Sequence, residues 1–239
     1  MSLNTLEFTM LESILGGKPM TGGSGPGPAS PTHSYTSGDG TKSTGFYGQL
    51  SPSEFITGAA LCNAFGLASN GNNPNWTKFE LDGKILYWPL VTLNDGTPWS
   101  TMYNKGLVYG VNGNGGQTVM PGVNQYRTIL IQGSLFIVRL PSISKNALWG
   151  GGATEVKDSE WGRMLWSVDK STAVNAEDGT KWASLNLGIP GKHSMVQQLN
   201  STQSNAMCIG YESVTSPSSL GRTAGNTNVG WRPILELVS

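Results

Sequence analysis

Charge is what this sequence has least of. Asp, Glu, Lys and Arg make up 13% of its 239 residues and cancel to a formal net charge of zero, against a usual share of roughly a quarter. A weakly charged, balanced chain offers no electrostatic footprint for a phosphate backbone, so neither DNA nor RNA is an expected partner. No run of eighteen apolar residues exists, and a helical membrane span is not expected. The first residues carry neither a cationic stretch nor a long apolar run, so they do not read as a secretory signal. Histidines are only His33 and His193, and cysteines only Cys62 and Cys208. There is no His-x-x-x-His or Cys-x-x-Cys pairing to hold zinc and no Gly-x-Ser-x-Gly elbow for a serine hydrolase. The two cysteines read as free buried thiols of a protein made in a reducing cytoplasm, with a disulfide as the alternative. No cofactor, metal or catalytic group is expected.

Glycine, with 33 residues, and Asn, Ser and Thr fill the place of the missing charges. That composition suits the neutral, turn-rich surface of an exposed extracellular or virion β-structure. Asp-Gly-Thr recurs at Asp39, Asp95 and Asp178; it reads as a tight-turn signal, with calcium as the alternative. The acid pairs Asp158/Glu160 and Glu177/Asp178 are placed as a helix start and a solvated turn rather than as a glycosidase pair. Among the eight tryptophans, Trp161, Trp166, Trp182 and Trp231 are expected in the core. Trp99, in Thr97-Pro98-Trp99-Ser100, and Trp149, before three glycines, sit in loop-like sequence and are candidate contact residues.

Leu3 to Leu15 has the spacing of a short amphipathic helix, with Leu3, Leu6, Met10, Leu11, Ile14 and Leu15 along one face and Gly16-Gly17 at its end. So short a helix is marginal alone, so the stripe needs a partner, either the parent domain or another chain. A Gly/Ser/Pro-rich linker follows from Thr21 to Thr32. Ser51-Pro52-Ser53-Glu54 is a capping-box signal, predicting a helix from there to about Ala64 with Gly66 as its left-handed cap. Beyond Trp76 the pattern turns to strands. Asp82-Gly83 and Gln132-Gly133-Ser134 are the turns of two expected hairpins; a strand is also expected over 107–111. A second helix is expected from Ser159 to Val168, and a polar loop without periodicity from Tyr211 to Asn228. The last stretch, from Asn228 to Val238, reads as one closing strand. Two helices among short strands and long loops predict an α+β domain over 46–239, with residues 1–45 as an arm.

Four stretches together resemble the C-terminal domains of tailed-bacteriophage virion proteins. Trp76 to Tyr87 is similar to the family's Trp-x-Lys-Phe … Asp-Gly-Lys-x-Leu-Tyr. Ile131 to Leu140 resembles Ile-x-Gly-x-x-Tyr-x-Val-Arg-Leu, with Phe136 in place of Tyr. Ser159 to Trp166 resembles Ser-Glu-Trp-Asn-Arg-Leu-Met-Tyr, with Gly162 in place of Asn. Gly230-Trp231-Arg232-Pro233 resembles the family's closing Gly-aromatic-Arg-Pro strand, which also looks like that of C-type-lectin-like domains. The similarity runs from about Leu50 to Ser239.

The resemblance implies a C-type-lectin-like fold and a non-enzymatic virion protein, made in the bacterial host cytoplasm and assembled without secretion. It implies a tail-fibre or tail-spike component that attaches to other virion proteins through residues 1–45, forms homo-oligomers and recognises a host surface glycan or protein. A head decoration, collar or baseplate protein without receptor role is the alternative, and a polysaccharide hydrolase a distant third. Contact residues for recognition are expected at Trp99 and Trp149 and, in the polar loop, at Ser218, Ser219, Arg222, Thr223 and Asn226.

Overall fold

The computed structural model describes residues 23–36, 43–150, 153–167, 192–210 and 217–238. The Leu3–Leu15 stripe, Trp182, the turn at 188–191 and the first part of the polar loop lie outside the described residues.

Two sheets dominate the described chain. The first has seven strands in the order β1 (His33–Thr36), β2 (Ser43–Leu50), β3 (Trp76–Leu81), β4 (Lys84–Pro89), β13 (Ile234–Leu237), β7 (Ser134–Arg139) and β6 (Thr128–Ile131). The second runs β11 (Ser218–Gly221), β10 (Asn205–Ile209), β9 (His193–Asn200), β12 (Val229–Trp231) and β5 (Asn94–Asp95), with β8 (Leu148–Trp149) also on β9. Every pairing in the first sheet is antiparallel; β12 and β8 run parallel to β9. About 34% of the chain is strand and 13% helix. This corrects the α+β, C-type-lectin-like expectation: the molecule is β-rich, and its helices are short supports on the sheets.

The two hairpins form where their turn residues demand. Asp82 (φ 51°) with Gly83 (φ 80°), and Gln132 (φ 49°) with Gly133 (φ 78°), hold the positive φ pairs that a two-residue hairpin turn needs. The capping box also forms, since Ser51 N–H donates to Glu54 Oε2 at 2.8 Å. It closes only a turn, however. The helix starts later, over Gly58–Ala64, with Thr57 Oγ1 accepting from Ala60 N–H at 3.1 Å. Ser159 caps Glu160–Gly162, which continues as a π-helical turn over Arg163–Ser167. The strand expected over 107–111 is absent; that stretch is irregular.

The closing stretch is two strands. Val229–Trp231 belongs to the second sheet and Ile234–Leu237 to the first, where it lies between β4 and β7. Arg232 and Pro233 make the crossing, which suits proline because it has no N–H to give a ladder. Trp231 and Arg232 are both fully buried.

Strand alternation gives the seven-stranded sheet two contrasting faces. On the inner face Trp76, Tyr87, Phe136, Val138 and Leu235 join Phe55 and the Gly58–Ala64 helix in one core cluster. On the outer face Phe46, Phe79, Leu86, Trp88 and Ile234 meet Val156, Trp161, Met164 and Leu165 of the helical segment 153–167. Trp88 and Trp161 pack edge to face with centroids 4.9 Å apart. The domain boundary expected at residue 45 falls inside β2, and residues of the expected arm take part in the sheet through β1.

Candidate functional site

The four stretches that carry the resemblance converge on the outer face. Arg139 on β7 is the hub. Its Nη2 lies 2.5 Å from Glu160 Oε1 and its Nη1 donates to Glu160 Oε2 at 2.8 Å. Its Nε donates to Glu236 Oε2 at 2.9 Å, and Lys84 Nζ meets Glu236 Oε1 at 2.8 Å. Glu160 Oε2 also accepts from Ser142 N–H at 3.0 Å. Arg163 forks onto Asp82 at 2.5 and 2.6 Å, tying the helical segment to the first hairpin turn. Planar fork geometry is what guanidinium offers to carboxylates, and an ammonium cannot reproduce it. Burial alone would push the Glu236 carboxyl up, but Arg139 and Lys84 hold it below the usual range. Burial alone would lower Arg139, yet Glu160 and Glu236 raise it.

Beside this network Arg232 stacks over Trp88, its Cζ 3.6 Å from the ring centroid, and its Nε donates to Pro89 O at 2.6 Å. Gly-Trp-Arg-Pro is thus fastened through Arg232 to the end of β4. Nothing in this arrangement leaves Asp158 and Glu160 as a reactive pair: Glu160 is consumed by Arg139. Among the described residues no group of three His, Cys, Asp or Glu side chains is placed to hold a metal ion. Asp95 of the Asp-Gly-Thr repeat is engaged by Lys192 at 2.8 Å, Thr92 at 2.7 Å and Asn70 at 2.8 Å. Its burial is outweighed by these partners, which hold its carboxyl low.

Among the described residues the inner face carries the buried cation Lys78. Its Nζ donates to Pro28 O at 2.6 Å and Ser24 Oγ at 3.2 Å, with Gly25 O at 3.5 Å, and it lies over the rings of Tyr47 and Tyr87 at 5.1 and 5.7 Å. Tyr87 Oη donates to Pro26 O at 2.7 Å. Residues 24–28 therefore form a strap across the sheet, held by side chains of the body. Gly27 has φ 81°, and a Cβ there would stand 2.7 Å from Leu50 Cδ2, so only glycine seats the strap so closely. Burial pushes the Lys78 ammonium down to about 8.

The expected contact residues are scattered. Ser218, Ser219 and Asn226 come together with His193, Cys208 and Asn228 around a cavity of about 180 Å³ at the β10–β11 edge. Sequence reading missed His193, Cys208 and Asn228; only the strand order, which brings β9, β10 and β12 side by side, unites them. Burial pushes the Cys208 thiol up to about 11, against a hydrogen bond with Ser218 that lowers it, so it is no ready nucleophile. Arg222 does not line this cavity; its Nη1 donates to Gln203 O at 2.5 Å and its backbone N–H to Ser204 O at 3.1 Å. Thr223 is exposed beyond it. Ser218 and Ser219 lie on a strand rather than in the expected loop.

Trp99 is the clear correction. It starts the Trp99–Asn104 helix, is 1% exposed, donates from Nε1 to Val196 O at 3.0 Å and stacks on Tyr103. It is a core residue joining the two sheets, not a surface anchor. Pro98 ahead of it marks a helix start, which the sequence shows but the loop reading passed over. Trp149 is half-buried on β8 and packs against the outer-face cluster. No protein-family model, curated protein or solved structure matches the chain.

Proposed function

We propose that this chain is a non-enzymatic structural protein of a tailed-phage particle, of tail-fibre or tail-spike type. It attaches through its N-terminal residues and presents the polar stretch over 217–228 to a host surface. The observation that supports this reading is the meeting of three of the four family-like stretches, with the strand that follows the fourth, in one interlocked cluster. Lys84 and Asp82 come from the first, Arg139 from the second, Glu160 and Arg163 from the third, and Glu236 from β13, the strand that follows the fourth. Motifs scattered along a chain by chance would not be expected to interlock. Their residues build a scaffold, which is what a shared virion domain would retain, while recognition would fall to exposed polar positions that the scaffold presents.

The alternative is a head, collar or baseplate protein without receptor role, and the burial of Trp99 favours it by removing one surface anchor. The test has two parts. Antibody labelling of phage particles should place the protein on the tail, and purified protein should compete with particles for host adsorption. Labelling on the head with no competition would select the alternative, and no labelling of any particle would overturn both.

A further inference from the structure

The seven-stranded sheet ends on two edge strands of different character. β1 carries His33, Ser34 and Thr36, whereas β6 reads Thr128-Ile129-Leu130-Ile131, with no charge, proline or bulge to discourage pairing. The hairpin decides which backbone groups of β6 face out. Ile131 pairs with Ser134 across the two-residue turn, Ile129 pairs with Phe136, and Val138 N–H donates to Arg127 O at 2.8 Å. Residues 127, 129 and 131 therefore turn their N–H and C=O groups to β7, and Thr128 and Leu130 turn theirs outward. No strand lies on that side, and the outward groups meet no partner among the described residues.

The side chains repeat the pattern. Leu130 lies opposite Leu135, and Thr128 opposite Ile137. Leu130 is 46% exposed, and neither it nor Leu135 nor Ile137 belongs to a core cluster. The strand is also held at both ends. Gln132 Nε2 donates to Glu54 O at 2.8 Å, and Arg127 Nε to Lys105 O at 2.9 Å. Pairing along this edge thus has little ordering to overcome.

We propose that β6 pairs antiparallel with β6 of a second copy of this chain, about a two-fold axis at Ile129. The strand is its own complement. In that register Thr128 of each copy faces Leu130 of the other, so the outward groups form four hydrogen bonds. The two Leu130 side chains meet on the diagonal, within reach of long side chains. The two Arg127 residues stand four positions apart, about 14 Å along the strands, beyond the roughly 8 Å over which salt leaves charges felt. The two-fold closes on itself and exposes no new edge. So short an edge buries less than the roughly 800 Å² per partner of a standard interface. The pair is therefore weak between free chains and counts where copies are held together at high local concentration. This does not rest on the phage reading.

The test is sedimentation of the full chain at concentrations up to about 1 mM, with a crosslink to fix the register. A dimer that grows with concentration is expected. Leu130→Lys and Thr128→Pro should each abolish it with the urea midpoint hardly moved; the proline removes an outward N–H and no ladder bond. Ile129→Cys should give a disulfide-linked dimer under mild oxidation, since residues facing each other on the axis have Cα atoms about 4.5 Å apart. The native Cys62 and Cys208 are buried and do not compete. Thr223→Cys, exposed and away from the edge, should give no link. A monomer at every concentration would overturn the proposal. So would a dimer that survives Leu130→Lys, or one that links as readily through Thr223→Cys, because its interface would lie elsewhere.

Discussion

The two faces of the seven-stranded sheet solve the problem of buried charge in opposite ways. On the outer face Arg139 is neutralised by Glu160 and Glu236, and each acid has a further donor in Ser142 or Lys84. On the inner face Lys78 meets no carboxylate among the described residues; it is satisfied by strap oxygens and two tyrosine rings. The first arrangement locks elements that are far apart in sequence. The second fastens a short segment whose own side chains contribute almost nothing. A charge with a counter-charge builds a scaffold, whereas a lone charge among carbonyls makes a clasp whose strength depends on its protonation.

The largest expected effect separates the faces outright. Arg139→Met leaves the largely buried Glu160 and Glu236 without their shared cation and should destabilise the domain by about 3–5 kcal/mol in urea unfolding. Trp231→Ala should cost a similar amount, about 3–5 kcal/mol, because a fully buried indole between the sheets is lost. A loss under 1 kcal/mol for Arg139→Met would show that the network is no more than decoration.

The inner face should answer to pH instead. Lys78 has a folded value near 8 against 10.5 for the free side chain. Between these values the unfolded chain binds more protons, so stability contributed by this group rises with pH from about 8 towards 10.5. The buried thiols and tyrosines, whose values are raised, act the other way at the upper end. The useful measurement is therefore the difference between the wild type and Lys78→Met across pH 7.5 to 10, which should shift in favour of the wild type as pH rises. A flat difference would mean that the ammonium is solvated. Gly27→Ala should then loosen the strap alone, by about 1–2 kcal/mol of left-handed strain, seen as faster proteolysis near residue 27 with the urea midpoint hardly moved.

The smallest effects belong to the exposed polar positions on and after β11. Ser218→Ala, Thr223→Ala and Asn226→Ala should each change stability by no more than about 0.5 kcal/mol, since these side chains are exposed. A cost above 1 kcal/mol at any of them would make that residue part of the scaffold.

Much of the scaffold could be read in the sequence because its signals are local. Asp82-Gly83 and Gln132-Gly133 dictate their hairpins through φ, and Ser159 caps its helix whatever lies around it. Glycine at 66 has the left-handed φ of 62° that its position suggested. What could not be read depends on pairing over long distances. The strands β9 and β11 carry Gln, Asn and Ser, which look like loop until β10 lies between them. Trp99 looked exposed because its neighbours are polar and prolyl, while its partner Val196 is 97 residues away. The Asn228–Val238 stretch read as one strand because apolar alternation does not report which sheet a residue joins.

That crossing at Arg232 and Pro233 has a consequence for the order of assembly. Strand β13 lies between β4 and β7, so without Ile234 to Leu237 the larger sheet is two separate pieces, β1–β4 and β6–β7. The same few residues carry Glu236, the acid that Arg139 and Lys84 share. As the chain emerges during synthesis it can form its hairpins early, but it cannot join them until the last strand of the sheet arrives. A chain stopped before Ile234 would keep its local signals and still expose both seams, which makes the arrival of β13 the step that closes the larger sheet.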